Sequence, residues 1–319
     1  AAALAGVAAV TALVLLPAGR GVSRDAPPAR GGDVLFDRES AYHRVTVMRM
    51  GADRVLMFGP MWQSAWNPAR PADHRFAYSR AFHVGLAQAA RRDAVLHVGL
   101  GGATMPRSIA QVRPGVRQEA VELDPVVVEA ARSWFGLDRI PGLEVHVDDG
   151  RRWLRRHPQR RYDVILIDAY TSEGIPFHLF TREHASLLRR HLAPGGAVAV
   201  NLHGSADGPA SRLWRSVQRT FAAELPGTAA FLMPAAAPGL VRNVILVASP
   251  TPVRPTAELV RRWDRWRAGR GVDIAGWLGT RVDHPGPGAL LFTDDLAPTD
   301  QVLDPELRSA ALAQRPDGG

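Results

Sequence analysis

The stretch Val95-Leu96-His97-Val98-Gly99-Leu100-Gly101-Gly102-Ala103-Thr104, VLHVGLGGAT, decides the fold. Val95 to Val98 reads as a buried strand, and it runs straight into a glycine-rich turn. Glycines let a backbone approach a ligand closely and adopt turns that a Cβ would forbid. Dinucleotides, nucleotide phosphates and sulfonium nucleosides all use such turns, and so does a plain tight connection from strand to helix. The G-x-G-x-x-G fingerprint is incomplete, because Thr104 stands where its last glycine would be. No G-K-[ST] follows, which excludes a P-loop.

Outward from this stretch, strands alternate with helices. Strands are expected at Ala94–Val98, Gln118–Leu123, Leu143–Val147, Val164–Asp168 and Ala197–Asn201, and helices at 106–113, 126–135, 150–157 and 181–192. The strand cores AVLHV, VILID and AVAVN are near-continuous apolar runs, as in strands buried on both faces. The alternation predicts an α/β fold with a mostly parallel sheet. Upstream, VLFDRESAYHRVTVMRMGADRVLMFG predicts a hairpin or small sheet, NPARPADH a loop, and Phe76 to Ala90 a helical stretch. Downstream, VRNVILVAS reads as a strand and TAELVRRWDRWRAG as a helix. The expected division is a small β domain over 34–75, a Rossmann-like domain over 76–305 and a flexible tail over 306–319.

With 319 residues and 46% hydrophobic content, the chain is long enough for one large α/β domain and a small addition. Its net charge is +8, and every one of its 39 Lys or Arg residues is arginine. Arg151, Arg152, Arg155, Arg156, Arg160 and Arg161 cluster on and after one expected helix. A solvated face or a lipid contact explains that cluster better than a phosphate-binding patch, so nucleic acid is not an expected partner. There is no cysteine, which excludes disulfides, thiolate nucleophiles and cysteine metal sites. Residues 1–18 are apolar and read as the end of a transmembrane helix or an export segment, with 19–33 as linker. Arg20, Arg24 and Arg30 follow closely, so the positive-inside rule puts the rest of the chain in the cytoplasm, attached to the membrane by this segment.

In open parallel sheets, ligands sit at the carboxyl ends of the strands. Gly99 and Gly101 follow the first strand. Glu122 ends the second, about twenty positions on, where a carboxylate can accept from ribose hydroxyls. Asp148 and Asp149 end the third; one suits an adenine amino group and the other the N-cap of the next helix. Asp168 ends the fourth and is the candidate proton acceptor, since burial raises a carboxyl pKa. The long loop behind it suits a lid. His178, His184 and His191 match no zinc spacing and are expected on a loop or helix surface, with no metal. Asp294 and Asp295 either cap an element or approach the pocket. Together these features describe a nucleoside site without a phosphate cradle, fitting S-adenosylmethionine or its decarboxylated form.

At this point the chain resembles the spermidine synthase-like family of polyamine aminopropyltransferases, over about residues 34–303. The motifs are ESAYHRVTV, VLHVGLGGAT, AVELDPVVVEAAR, VDDGRRWL, YDVILIDAY, IPFHLFTREH, LAPGGAVAVN and LFTDDLAPTDQVL. DAYTSEGIPFHLFT looks most like the branch fused behind membrane segments. The resemblance implies a class I S-adenosylmethionine methyltransferase-like (Rossmann-like) fold with a small N-terminal β domain. It implies aminopropyl transfer from decarboxylated S-adenosylmethionine to a small-molecule diamine or polyamine, with Asp168 as base. Glu122 matches the ribose binder and Asp149 the adenine binder. Gln63 matches a donor-site glutamine with a shift of one residue. Tyr78, Tyr170 and Glu173 are expected on the amine side. Family members often pair as homodimers. The chain departs from the pattern at Gly102, Thr171, His43 and Arg80, where the family carries Asp, Asp, Gln and Glu. Arg80 is expected to add a repelling charge beside the amine. The alternatives are an S-adenosylmethionine-dependent methyltransferase and a non-catalytic nucleoside-binding domain.

Overall fold

The computed structural model describes residues 32–170, 175–237 and 239–297. The apolar N-terminal segment, its flanking arginines, Thr171, Glu173 and the tail lie outside these residues.

A four-stranded antiparallel sheet comes first, with β1 (Asp33–Glu39), β2 (Arg44–Met50), β3 (Asp53–Phe58) and β4 (Met61–Trp66) paired in chain order. β4 extends the expected hairpin, and Asp33, expected in the linker, opens β1. Alternation puts Val45, Val47, Leu56 and Phe58 on one face. That face packs on Val127, Ala130 and Phe135 of the helix Pro125–Phe135, so the small sheet shares a core with the main domain.

The main sheet has eight strands in the order β12-β10-β11-β9-β8-β5-β6-β7. These are β5 (Ala94–Val98), β6 (Arg117–Glu122), β7 (Leu143–Val147), β8 (Tyr162–Ile167), β9 (Leu192–Gly204), β10 (Gly227–Leu232), β11 (Arg242–Ser249) and β12 (Thr280–Val282). The run β9-β8-β5-β6-β7 is parallel, and β11, β10 and β12 are antiparallel additions. All six residues of β8 are buried. Its even positions, Val164 and Leu166, feed one core layer, and Ile165 and Ile167 feed the other. Sheets covered on both faces need such apolar runs.

The helices are α1 (Ala77–Ala81), α2 (Val84–Gln88), α3 (Thr104–Val112), α4 (Pro125–Phe135), α5 (Gly150–Arg156), α6 (Arg182–His191), α7 (Arg212–Ala222) and α8 (Thr256–Arg267). The helical stretch expected over Phe76 to Ala90 divides into α1 and α2 at Phe82 and His83. α7, β10 and β12 add to the expected elements.

Chain order sets the site. β5, β6 and β7 step one way across the sheet, and β8 returns to the other side of β5. The switch point therefore lies between β5 and β8, where a cleft opens at the strand ends. The ends of the two strands nearly touch there. The Asp168 amide donates to Val98 O at 2.9 Å, and Gly99 sits at φ +94°. A Cβ on Gly99 would run into the Asp168 carbonyl. Gly99→Ala is therefore expected to lose about 1–3 kcal/mol of stability in urea denaturation. An unchanged midpoint and slope would contradict the close approach.

Candidate active site

The sheet face that carries Val164 and Leu166 of β8, Ala197 and Ala199 of β9, and Ile245 and Val247 of β11 is apolar along its length. At the carboxyl ends of the parallel strands the same rows turn polar. β8 continues into Asp168, β9 into Asn201 and His203, and β11, running the other way, carries Asn243 as its second residue. All four line the cleft. Tyr78 of α1 closes over them, and its hydroxyl donates to Asp168 Oδ2 at 3.0 Å. Asn201 Nδ2 donates to Asp168 Oδ1 at 2.9 Å. Tyr170 hydrogen-bonds the Asn201 carbonyl at 3.0 Å. Burial raises the Asp168 pKa above the ordinary 3.8, and the Asn201 and Tyr78 hydrogen bonds hold the rise back. Burial, and then the Asp168 charge, push the Tyr78 and Tyr170 hydroxyls up, so both stay neutral donors. The arrangement is a carboxylate held by neutral partners, with its affinity for a proton raised by burial.

The second half of the cleft lies under the glycine turn. Glu122 Oε2 accepts from Leu100 N at 2.9 Å, and Oε1 accepts from Asp124 N at 3.1 Å. The carboxylate thus ties the turn to the end of β6 and keeps a lone pair on each oxygen for a ligand. Burial raises its pKa. Gly101 takes φ +49°, and a Cβ there would press on Ser64 Oγ at 3.0 Å. Gln63 lines the cleft at a β-bulge, because β3 pairs Leu56 with Ser64 and Met57 with Trp62 and skips it. A bulge re-aims a side chain in this way.

Asp149 does two jobs at the far wall. Its Oδ1 caps α5 by accepting from Arg152 N at 2.8 Å, and its Oδ2 pairs with His178 Nε2 at 2.7 Å. Burial opposes ionisation, but the bonds from His178 and Arg152 N outweigh it and bring the pKa to about 2. Asp148 accepts from Asp149 N and pairs with Arg152.

Several expectations change. His184 and His191 are buried, at 0% and 2% exposure, rather than on the surface. Their spacing around Leu188, at i, i+4 and i+7, is an inward stripe. His178 is a cleft residue. Arg80 does not reach the amine side. It donates to His74 O at 2.9 Å, and its guanidinium lies 4.8 Å from the Trp277 ring centroid. Two residues apart on a helix, Tyr78 and Arg80 face opposite ways. Gly102 does not face the cleft either. A Cβ there would meet Ser64 Cβ at 2.8 Å and the Phe135 ring at 2.9 Å. Asp294 is drawn away to Arg151 and Thr181, at 2.6 and 2.7 Å. Arg152 and Arg156 pair with Asp148, and Arg160 with Glu119, so the arginine cluster is largely answered within the fold. Among the described residues no group of three or more His, Asp or Glu could hold a metal ion. Asn201 and Asn243 carried no sequence expectation beyond strand membership, and His203, past the expected end of its strand at Asn201, carried none.

Residues 75–204 match the Spermine/spermidine synthase domain. Within that match lie Tyr78, the glycine turn, Glu122, Asp149, Asp168 and Asn201. The polyamine aminopropyltransferase of Vibrio vulnificus is 31% identical over 176 residues, covering 53% of this chain and 58% of that protein. The chain spans about half the length of the curated relatives it matches. Among solved structures, a probable spermidine synthase from Corynebacterium glutamicum superimposes with a TM-score of 0.65 at 22% identity, covering 82% of this chain and 96% of that one. Human methyltransferase-like protein 13 in complex with SAH aligns with a TM-score of 0.50 at 25% identity, over 62% of this chain and 96% of that one. The α/β fold with a mostly parallel Rossmann-like sheet is thus one that spermidine synthases and methyltransferases also have, and here a small N-terminal antiparallel sheet precedes it.

The Asp149 pair has a measurable consequence. Its folded pKa lies below the unfolded value, so its contribution to stability is complete above about pH 4 and is lost as pH falls toward 2. Acid denaturation of Asp149→Asn should therefore be less steep than that of the parent in this window. Parallel curves would contradict the His178 bond.

Proposed function

We propose that the chain is a spermidine synthase-like transferase that moves an aminopropyl group from decarboxylated S-adenosylmethionine to a primary amine of a diamine or polyamine. The observation that carries this reading is Asp168, held at the switch point by two neutral donors, Tyr78 and Asn201. The sulfonium donor supplies its own leaving group. The amine nitrogen bonds to the methylene beside sulfur, the carbon–sulfur electron pair stays on sulfur, and methylthioadenosine departs. The protein has to hold the partners in line and take one proton from the amine. Asp168 takes it, with a free lone pair on each oxygen and a pKa raised toward the working range. Glu122 receives the ribose hydroxyls, Gly99 and Gly101 let the sugar and arm lie against the turn, and Asp149 with His178 receives the adenine edge. Gln63 lies along the donor arm. Tyr78 and Tyr170 line the amine side, and Glu173, outside the described residues, is assigned there with them.

The family resemblance, the apolar composition of residues 1–18 and the arginines after them support a membrane-anchored member with its catalytic domain in the cytoplasm. No helix among the described residues is long and apolar enough to cross a membrane. A homodimer is proposed on the resemblance alone.

The packing of Gly102 favours a second reading. Position 102 offers no carboxylate to the donor's terminal ammonium and no room for one. Intact S-adenosylmethionine, which brings its own carboxylate, would meet less repulsion at such a site. Calorimetric binding of both donors separates the readings. Preference for the decarboxylated donor, with amine-dependent release of methylthioadenosine, is expected. Asp168→Asn should keep donor binding and lower release about 100-fold or more. Preference for the intact donor would move the chain to the methyltransferases, and binding of either donor without turnover would leave a nucleoside-binding domain.

A further inference from the structure

Behind Asp168, away from the glycine turn, the polar row continues across two strands. Asn201 Oδ1 accepts from Asn243 Nδ2 at 3.0 Å, and the same Nδ2 lies 3.0 Å from His203 Nε2. The register makes this chain of contacts possible. Asn201 and His203 share one face of β9, and Asn243 is the direct cross-strand partner of His203 in the antiparallel β9–β11 ladder. The Tyr170 ring packs on His203 with centroids 4.8 Å apart, while its hydroxyl holds the Asn201 carbonyl.

Each contact has a direction, and Asp168 sets it. An ionised carboxylate can only accept, so Asn201 must turn its NH2 to Asp168. Its carbonyl oxygen then faces Asn243, which must present its NH2 in turn. The second N–H of that amide points at His203 Nε2, which must carry a lone pair. Such a relay requires a neutral His203 with its proton on Nδ1. We infer that Asn243 and His203 are positioning residues that act on Asp168 through Asn201, forming a one-way hydrogen-bond relay that holds the base ionised and aimed into the cleft. A reversed Asn201 would place an amide oxygen against the Asp168 carboxylate, and Asn243 prevents that reversal. His203 holds Asn243 in turn, because only its acceptor tautomer matches the second N–H. Hydrogen bonds in series polarise one another, so loss of an outer member is felt at the inner one.

This inference rests on Asp168 being the base of the proposed transfer, and two readouts on the full chain keep the two ideas separate. The first needs no turnover. Nitrogen-15 spectra of histidine-labelled protein near neutral pH should show His203 as the neutral Nδ1–H tautomer, and Asn243→Leu should shift it toward Nε2–H. His203 protonated on Nε2 in the parent would overturn the relay. The second readout is a double-mutant cycle on methylthioadenosine release. Asn201→Ala should lower kcat about tenfold, the scale of one hydrogen bond to a charged group, with the KM for the nucleoside donor unchanged. Asn243→Leu should lower kcat about threefold alone and have no further effect in the Asn201→Ala background. Additive losses, or a change confined to KM, would overturn the relay. A parent that shows the assigned tautomer but turns over no decarboxylated donor would support the relay and sink the transfer reading.

Discussion

The meeting of two strand ends at Gly99 and Asp168 constrains everything around it. The Asp168 amide is bonded to Val98, and its carbonyl occupies the space a Cβ on Gly99 would need. That contact brings the glycine turn and the strand-end carboxylate to opposite lips of one cleft. The sulfonium chemistry proposed here demands little else: a nucleoside laid along one lip and an amine presented from the other. With a good leaving group already on the donor, catalysis reduces to alignment and one proton transfer.

Electrostatics divide the cleft along the same line. Asp149, on the proposed nucleoside side, is held low by His178 and a helix N-terminus. Asp168 is raised by burial and surrounded by groups that donate without carrying charge. Two strand-end carboxylates are thus shifted in opposite directions by burial and by their partners. The small N-terminal sheet belongs to this arrangement. It contributes Gln63 at a bulge, His43 stacked on Phe58 at 4.0 Å, and Ser64, which accepts from the Gly102 amide at 2.9 Å. Packed on α4, it roofs the turn.

Much of this was legible in the sequence, and the failures have physical causes. The strands Ala94–Val98 and Leu143–Val147 have the expected bounds, because apolar runs bordered by turn residues leave little choice. Asp168 stood out because a carboxylate ending VILI has to be used or satisfied. Directions were harder. The resemblance to spermidine synthases puts Gly102 where that family carries Asp, but only the backbone shows that it points at Ser64 and Phe135. Arg80 was read by its distance along the chain from Tyr78, not by its angle around the helix. Asn243 and His203 are forty residues apart and meet through antiparallel register, which no local pattern announces. The stripe at His184, Leu188 and His191 was available in the sequence as a helical period.

The most direct test of the account is a crystal structure of the chain with methylthioadenosine and a diamine. The account predicts the ribose hydroxyls on Glu122, the adenine edge at Asp149 and His178, and the amine nitrogen about 3 Å from Asp168, in line with the sulfur. A nucleoside bound away from Glu122, or an amine held by groups other than Asp168 and its tyrosines, would contradict it.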